Sequence, residues 1–175
     1  GSREREECLV IGRQIAACGK QVSMMAVAPD LSQAAFGILT PQGIEFHSAF
    51  GVIGPTSNVD WVSFSPDGNH LASIVRQGAQ QALIVDGIQR SVHEAAAAAV
   101  WLPDNRLLTL EHNEAGSQIA VDGQPLLEKK LIERLFVSPD GRVLAVGKDD
   151  EGPFLDPLGR PGEFTSIWGE GFLSS

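Results

Sequence analysis

Four Pro-Asp pairs stand at nearly equal intervals along this chain. They are Pro29-Asp30, Pro66-Asp67, Pro103-Asp104 and Pro139-Asp140, with steps of 37, 37 and 36 residues between the prolines. A fixed period in this range marks a repeat architecture, in which one small unit is stacked on copies of itself. Two copies read Ser65-Pro66-Asp67-Gly68 and Ser138-Pro139-Asp140-Gly141. This is turn chemistry: proline presets φ, aspartate bonds its own backbone two residues on, and glycine accepts a positive φ. Asn105 takes the glycine's place in the third copy, and asparagine is the next most tolerant of a left-handed backbone. Leu31 in the first copy breaks the rule, so that turn is expected to be longer or rearranged.

A second marker keeps the same period. Asp86-Gly87 and Asp122-Gly123 lie 36 residues apart, and Asp-Gly between apolar runs is a strong hairpin signal. Glycines at 12, 51, 87, 123 and 159 extend the series. Between the markers lie short runs such as Leu71–Val75, Ala82–Val85, Leu107–Leu110 and Val143–Val146, which read as strands. The unit is therefore four strands, A to D, joined by a Pro-Asp turn between A and B and an Asp-Gly turn between C and D. Strands A to C are nearly continuous apolar runs, as expected of strands covered on both faces. Strand D is charged, as in Gln89-Arg90-Ser91-Val92-His93-Glu94. Such a gradient fits a β-propeller blade, with A near the axis and D as a charge-protected outer edge. Ala95–Ala99 and Leu126–Leu135 carry helix propensity, but the repeat register places both at strand D and the link to the next A, so they are read as strand.

The segments Phe64–Ala72 and Val137–Ala145 resemble the PD40 blades of WD40-like propellers, found in the TolB protein and the prolyl oligopeptidase propeller. Val85-Asp86-Gly87 and Val121-Asp122-Gly123 strengthen the likeness. The resemblance implies an all-β propeller of four-stranded blades, about four to five of them here. Residues 1–7 read as a tag or linker, 8–22 as a leading hairpin and 169–175 as a trailing strand. The blades are expected near 24–58, 59–94, 95–134 and 135–168. Completing a ring takes more strands, irregular pairing of the ends, or a second chain, and an open sheet face would favour self-association. The resemblance speaks to fold and not to function, because Pro29, Asp30, Pro66, Asp67, Gly68, Asp86, Gly87, Pro103, Asp104, Asp122, Gly123, Pro139, Asp140 and Gly141 are turn residues.

The net charge of −9 argues against nucleic-acid phosphate and against an anionic membrane surface as partners. No apolar run is long enough to span a bilayer, and no signal peptide is recognisable. The chain is expected to be soluble, in a bacterial periplasm or cytoplasm. Cys8 and Cys18 are expected to be two small, covered thiols. A tight hairpin at Ile11-Gly12 would set Cys8 opposite Ile15 and leave a disulfide out of register.

His47, His70, His93 and His112 have no metal spacing, and no catalytic or phosphate-binding signature is present, so neither catalytic residue, metal nor cofactor is assigned. Gly51–Ser57 lacks the lysine of a phosphate loop. Lys148-Asp149-Asp150-Glu151, with Asp156 nearby, has the acidity for calcium but not the spacing. The strongest expectation is collective. The loops between strands B and C form a polar, acidic rim carrying Arg76, Gln77, Glu111, His112, Asn113, Glu114, Lys148, Asp149 and Asp150, and loops on rigid scaffolds carry function. The reading is a non-catalytic scaffold for a protein partner or for assembly. The alternatives are an accessory propeller of a larger hydrolase, or small-ligand or calcium binding at the channel mouth.

Overall fold

The computed structural model describes residues 7–11, 14–19, 21–93 and 97–158. Every regular element among them is a strand. The chain divides into two compact units between Val92 and His93.

The first unit opens with a two-stranded sheet of β1 (Glu7–Ile11) and β2 (Gln14–Gly19). Two four-stranded antiparallel sheets follow in sequential order. One is β3 (Val22–Val27), β4 (Ala34–Thr40), β5 (Gly43–Ser48) and β6 (Gly51–Thr56). The other is β7 (Asn58–Phe64), β8 (Leu71–Gln77), β9 (Gln80–Val85) and β10 (Ile88–His93). In the second unit β11 (Ala97–Trp101), β12 (Leu107–Asn113), β13 (Gly116–Val121) and β14 (Gln124–Lys129) form a third four-stranded sheet. A three-stranded one is built from β15 (Leu131–Val137), β16 (Val143–Asp149) and β17 (Gly152–Pro157). These are blades of the propeller type, each an up-and-down meander. The fourth strand expected near Gly162–Ser166 and the trailing strand lie outside the described residues, as do residues 1–6.

The cores follow the strand pattern. In the first unit Ala28, Ala35, Phe46, Phe64 and Leu71 bury one cluster between neighbouring sheets, and Val75, Ala82 and Ile84 form another. In the second, Leu102, Leu108, Leu110, Ile119, Ile132, Val137, Val143 and Ala145 do the same. Burying a Leu, Ile or Phe contributes roughly 1.5–3 kcal/mol, so each sheet is held by the faces it covers. Strands B and C are buried along most of their length, as in β8 and β9. Strand A is less covered than expected. β7 exposes Asn58 and Asp60 and buries only Phe64, and β15 exposes Leu131, Glu133 and Arg134 while burying Ile132 and Val137. The fourth A strand also begins earlier than its apolar run: Leu131–Glu133, read above as the end of a D strand, opens β15.

All four Pro-Asp turns share one reversal, although the first two close over five residues and the last two over four. The fourth residue of each lies in the left-handed region: Leu31 (φ 61°), Gly68 (76°), Asn105 (66°) and Gly141 (81°). Its amide donates to the carbonyl three residues back, at Ala28, Ser65, Leu102 and Ser138. The Leu31 turn is therefore not rearranged. It closes through Ala28 to Gln33, the same span as Ser65 to His70. Leucine is forced into glycine's conformation there. Where serine leads the turn, its hydroxyl donates to the aspartate and accepts the amide of His70 or Arg142.

The cysteine expectation is overturned. Cys8 and Cys18 are exposed and joined by a disulfide. Ile11 pairs with Gln14 and Val10 with Ile15, and then the register shifts, so that Leu9 pairs with Ala17 and Cys8 with Cys18. The reversal falls one residue later than the glycine suggested, which moves each partner by two, and a bulge at Ala16 adds one more.

Leu31→Gly is expected to stabilise the protein by about 1 kcal/mol, the typical cost of a left-handed leucine, and to raise Tm by about 3 °C. Leu31→Ala keeps the strain and should gain nothing; thermal unfolding of the two variants checks this. The turn carboxylates give a pH signature. Arg142 and Ser138 hold Asp140 down to about 2, Ser32 lowers Asp30, and the Ser65 hydroxyl lowers Asp67. A carboxyl depressed in the folded state stabilises it above the unfolded value of 3.8 and loses that contribution as pH falls through the folded value. Stability should hold down to about pH 5 and then decline towards pH 2. In chemical denaturation Asp140→Asn should flatten the decline.

Candidate functional site

Strand B is the frame of each blade, and its two ends differ. At its start the Asp-Gly turn folds back on it. Asp86 and Gly87, and likewise Asp122 and Gly123, all have positive φ, the signature of a two-residue hairpin turn of primed type. The Asp86 carboxylate accepts the Leu71 amide at 2.9 Å, and Asp122 accepts that of Leu107 at 2.9 Å. The Asp86 and Asp122 amides donate to the same residues' carbonyls. Each C–D turn is thus locked to the first residue of strand B. His70 adds Nδ1 to the free Asp86 oxygen at 2.8 Å. In the second unit a cavity of about 500 Å³ lies at this end, between Arg106, Asp122, Gln124 and Arg142.

At the other end of strand B stand Arg76, His112 and Lys148, 36 residues apart. Their partners come from a feature that the strand pattern did not reveal. Strand A carries a bulge in three blades, leaving Met25, Asp60 and Glu133 without a residue opposite. Bulges turn a side chain out of the alternating pattern. The bulged Asp60 accepts from Arg76 at 2.8 Å, from Asn58 at 2.7 Å and from Gln81 at 2.5 Å. Burial alone would raise the Asp60 carboxyl, but hydrogen bonds from Gln81, Asn58 and Arg76 outweigh it and lower it. The bulged Glu133 pairs with Lys148 at 3.3 Å. Gly147, paired with Ile132 beside that bulge, has no room for a side chain, because a Cβ would overlap the Leu131 carbonyl oxygen.

In the second unit this end opens into a groove of about 530 Å³, lined by Asn113, Ser117, Gln118, Glu128, Lys129, Lys130 and Asp150. Asn113 shapes one wall, its side-chain oxygen accepting the amides of Ala115 and Gly116. Lys129 donates to Asp149 at 3.2 Å and lies 4.9 Å from the Phe154 ring centre. This bond holds the Asp149 carboxyl below its ordinary range. Lys130 donates to Asp150 at 2.5 Å, and that contact raises the lysine. Ser117 sits behind the groove, 3% exposed. Its hydroxyl accepts the Ile132 amide at 3.0 Å and shares a 2.7 Å hydrogen bond with His112 Nδ1. Burial lowers the His112 imidazole, favouring its neutral form.

The expected rim residues are thus sorted. Glu111, His112 and Asn113 end β12, Glu114 lies in the following turn, Lys148 and Asp149 end β16, and Asp150 opens its turn. Lys130 joins the two loops, because it lines the cavity with Asn113 and Glu114 and bonds Asp150. Arg76 and Gln77 belong to the first unit, where Arg76 is tied to Asp60. Arg76, Gln77, Glu111, His112, Asn113, Lys148 and Asp149 are strand residues, not loop ones, and of the nine only Glu114 and Asp150 lie in turns. Lys129 and Lys130 were missed because the strand D reading ran across them. Asp60 and Glu133 were missed too, although their spacing of 73, two repeats, was a usable signal. Among the described residues no three His, Cys, Asp or Glu side chains converge to hold a metal. Asp149 and Asp150 face lysines instead.

No family model matches the chain, and no curated protein matches it. Among solved structures it is similar to TolB from Acinetobacter baumannii, with 14% identity and a TM-score of 0.46 over 83% of this chain and 43% of that one. It is also similar to a protein from Bacteroides uniformis provisionally called a 6-phosphogluconolactonase, with 14% identity and a TM-score of 0.36 over 78% of this chain and 53% of that one. The chain spans about half the length of either.

Ser117→Ala is expected to cost about 1–3 kcal/mol, because it leaves the buried Ile132 amide without an acceptor. Ser117→Thr keeps the hydroxyl and should lose less. Denaturant unfolding separates them, and equal losses would place the effect in packing instead of the hydrogen bond.

Proposed function

We propose that this chain is a non-catalytic binding module that engages a protein partner through the open loop end of its second unit. One observation carries the reading: both ends of the second unit hold a cavity, but the one of about 500 Å³ at the Pro-Asp end is walled by turns bonded to strand B, whereas the groove at this end is lined by charged side chains from two loops. Carboxylates outnumber lysines along it, with Glu114, Glu128 and Asp150 lining it and Asp149 beside Lys129, set against Lys129 and Lys130. Asp149 and Asp150 engage the two lysines, so Glu114 and Glu128 leave the face acidic, which suits a basic protein surface. The disulfide supports an oxidising location, which favours the periplasm over the cytoplasm.

Glu114→Lys combined with Asp150→Lys tests the face. The Lys130–Asp150 pair is 68% and 85% exposed, and exposed pairs of this kind add little stability. The double variant should keep its Tm and retain at least tenfold less of any protein captured by the immobilised wild-type chain. Asp149 is a poorer choice because Lys129 holds it. Capture of the same partners at undiminished yield would remove this face from the proposal.

A further inference from the structure

We infer that the Cys8–Cys18 disulfide is a redox latch that selects the register of the β1–β2 hairpin. Three observations meet in it. Among the described residues the hairpin is a sheet of two strands, and such a sheet is marginal in water by itself. Both sulfur-bearing residues are exposed, so a thiol can reach the bond. The two cysteines face one another only because the register shifts between Leu9 and Val10.

The shift matters most. From Ile11–Gln14 and Val10–Ile15, a regular ladder would continue with Leu9 opposite Ala16 and Cys8 opposite Ala17. The observed pairing skips Ala16 and sets Cys8 opposite Cys18. A one-residue slip reverses which face every following side chain takes. The disulfide is compatible with the bulged register alone, and without it both the regular ladder and the open, unpaired hairpin compete. Closing a loop with a sequence separation of 10 favours the closed hairpin on the order of a hundredfold. β1 lies against β3, and β2 against β3 and β4, so the latch also governs how one side of the first four-stranded sheet is covered.

The releasing chemistry is thiol–disulfide exchange with a dithiol. One thiolate attacks a sulfur of the Cys8–Cys18 bond, which breaks as a mixed disulfide forms. The second thiolate then displaces the remaining cysteine. Two electrons and two protons pass to Cys8 and Cys18, which become thiols, while the dithiol becomes a disulfide.

Hydrogen exchange read by mass spectrometry on the whole protein tests this, with dithiothreitol as the dithiol. Reduction should lower the protection of peptides covering 7–19 by about a hundredfold and leave those covering 58–93 and 131–157 unchanged. Cys8→Ser with Cys18→Ser should match the reduced protein. Deleting Ala16 removes the bulge yet keeps the cysteines opposed, so its reduced form should retain more protection than reduced wild type. Unchanged protection on reduction, loss of protection throughout the chain, or two free thiols in the protein before reductant is added would each overturn the proposal. So would a deletion variant that loses as much on reduction as the wild type.

Discussion

A four-stranded sheet with two apolar faces cannot stand alone in water. Every blade here must be covered by a neighbour, and that requirement shapes the rest of the chain. It explains why β8 and β9 are buried nearly throughout while strand D of the next sheet meets solvent. It also explains the period. A unit stacks on its copy only if its reversals fall at the same places, so the residues allowing those reversals recur even where the sequence between them has drifted. Leu31 shows how firm this is. The first turn keeps the left-handed backbone of the other three although leucine has no preference for it. The strain is local, and the covering of Ala28 and Ala35 against Phe64 and Leu71 outweighs it.

The two ends of the blade answer different demands. At the Pro-Asp and Asp-Gly end, chain reversals leave amides that water would otherwise satisfy, and the turn residues supply acceptors from within. Asp86 and Asp122 take the first amide of strand B, and Ser65 and Ser138 take the amide just before it. These bonds fix loop shape, so substitution at this end is felt as lost stability. At the other end Asn113 and Asp149 still take turn amides, but lysine–carboxylate pairs are added beside them. Exposed pairs of this kind contribute little to folding and can be rearranged without cost to the core.

How much was legible in the sequence follows from this division. The turns were legible because few residue types accept a positive φ, so Asp86-Gly87 and Pro66-Asp67-Gly68 announce themselves. The cysteine register was not, because a bulge at Ala16 leaves no compositional trace, and one unpaired residue reverses the conclusion drawn from alternation. The bulged Asp60 and Glu133 were hidden for the same reason. In a strand pattern a charged residue reads as outward-facing, whereas here the extra residue bends it towards the end of strand B. Lys129 and Lys130 were obscured by the boundary between two consecutive strands, where β14 ends at Lys129 and β15 begins at Leu131. A single charged run across such a junction has no internal punctuation.

The repeat also allows one position to be compared with itself. At the end of strand B the second four-stranded sheet holds Arg76 in a closed network with Asp60, Asn58 and Gln81. One repeat on, His112 is half-buried against Ser117, which ties β13 to β15. One repeat further, Lys148 keeps only the partly exposed Glu133. The constraint on this position relaxes along the chain while the backbone beneath it is conserved by packing. A scaffold whose copies are equal in fold but unequal in how tightly their rims are tied can diverge in what it binds at the loosest rim. The groove beside Asn113, Lys130 and Asp150 lies at that end of the series.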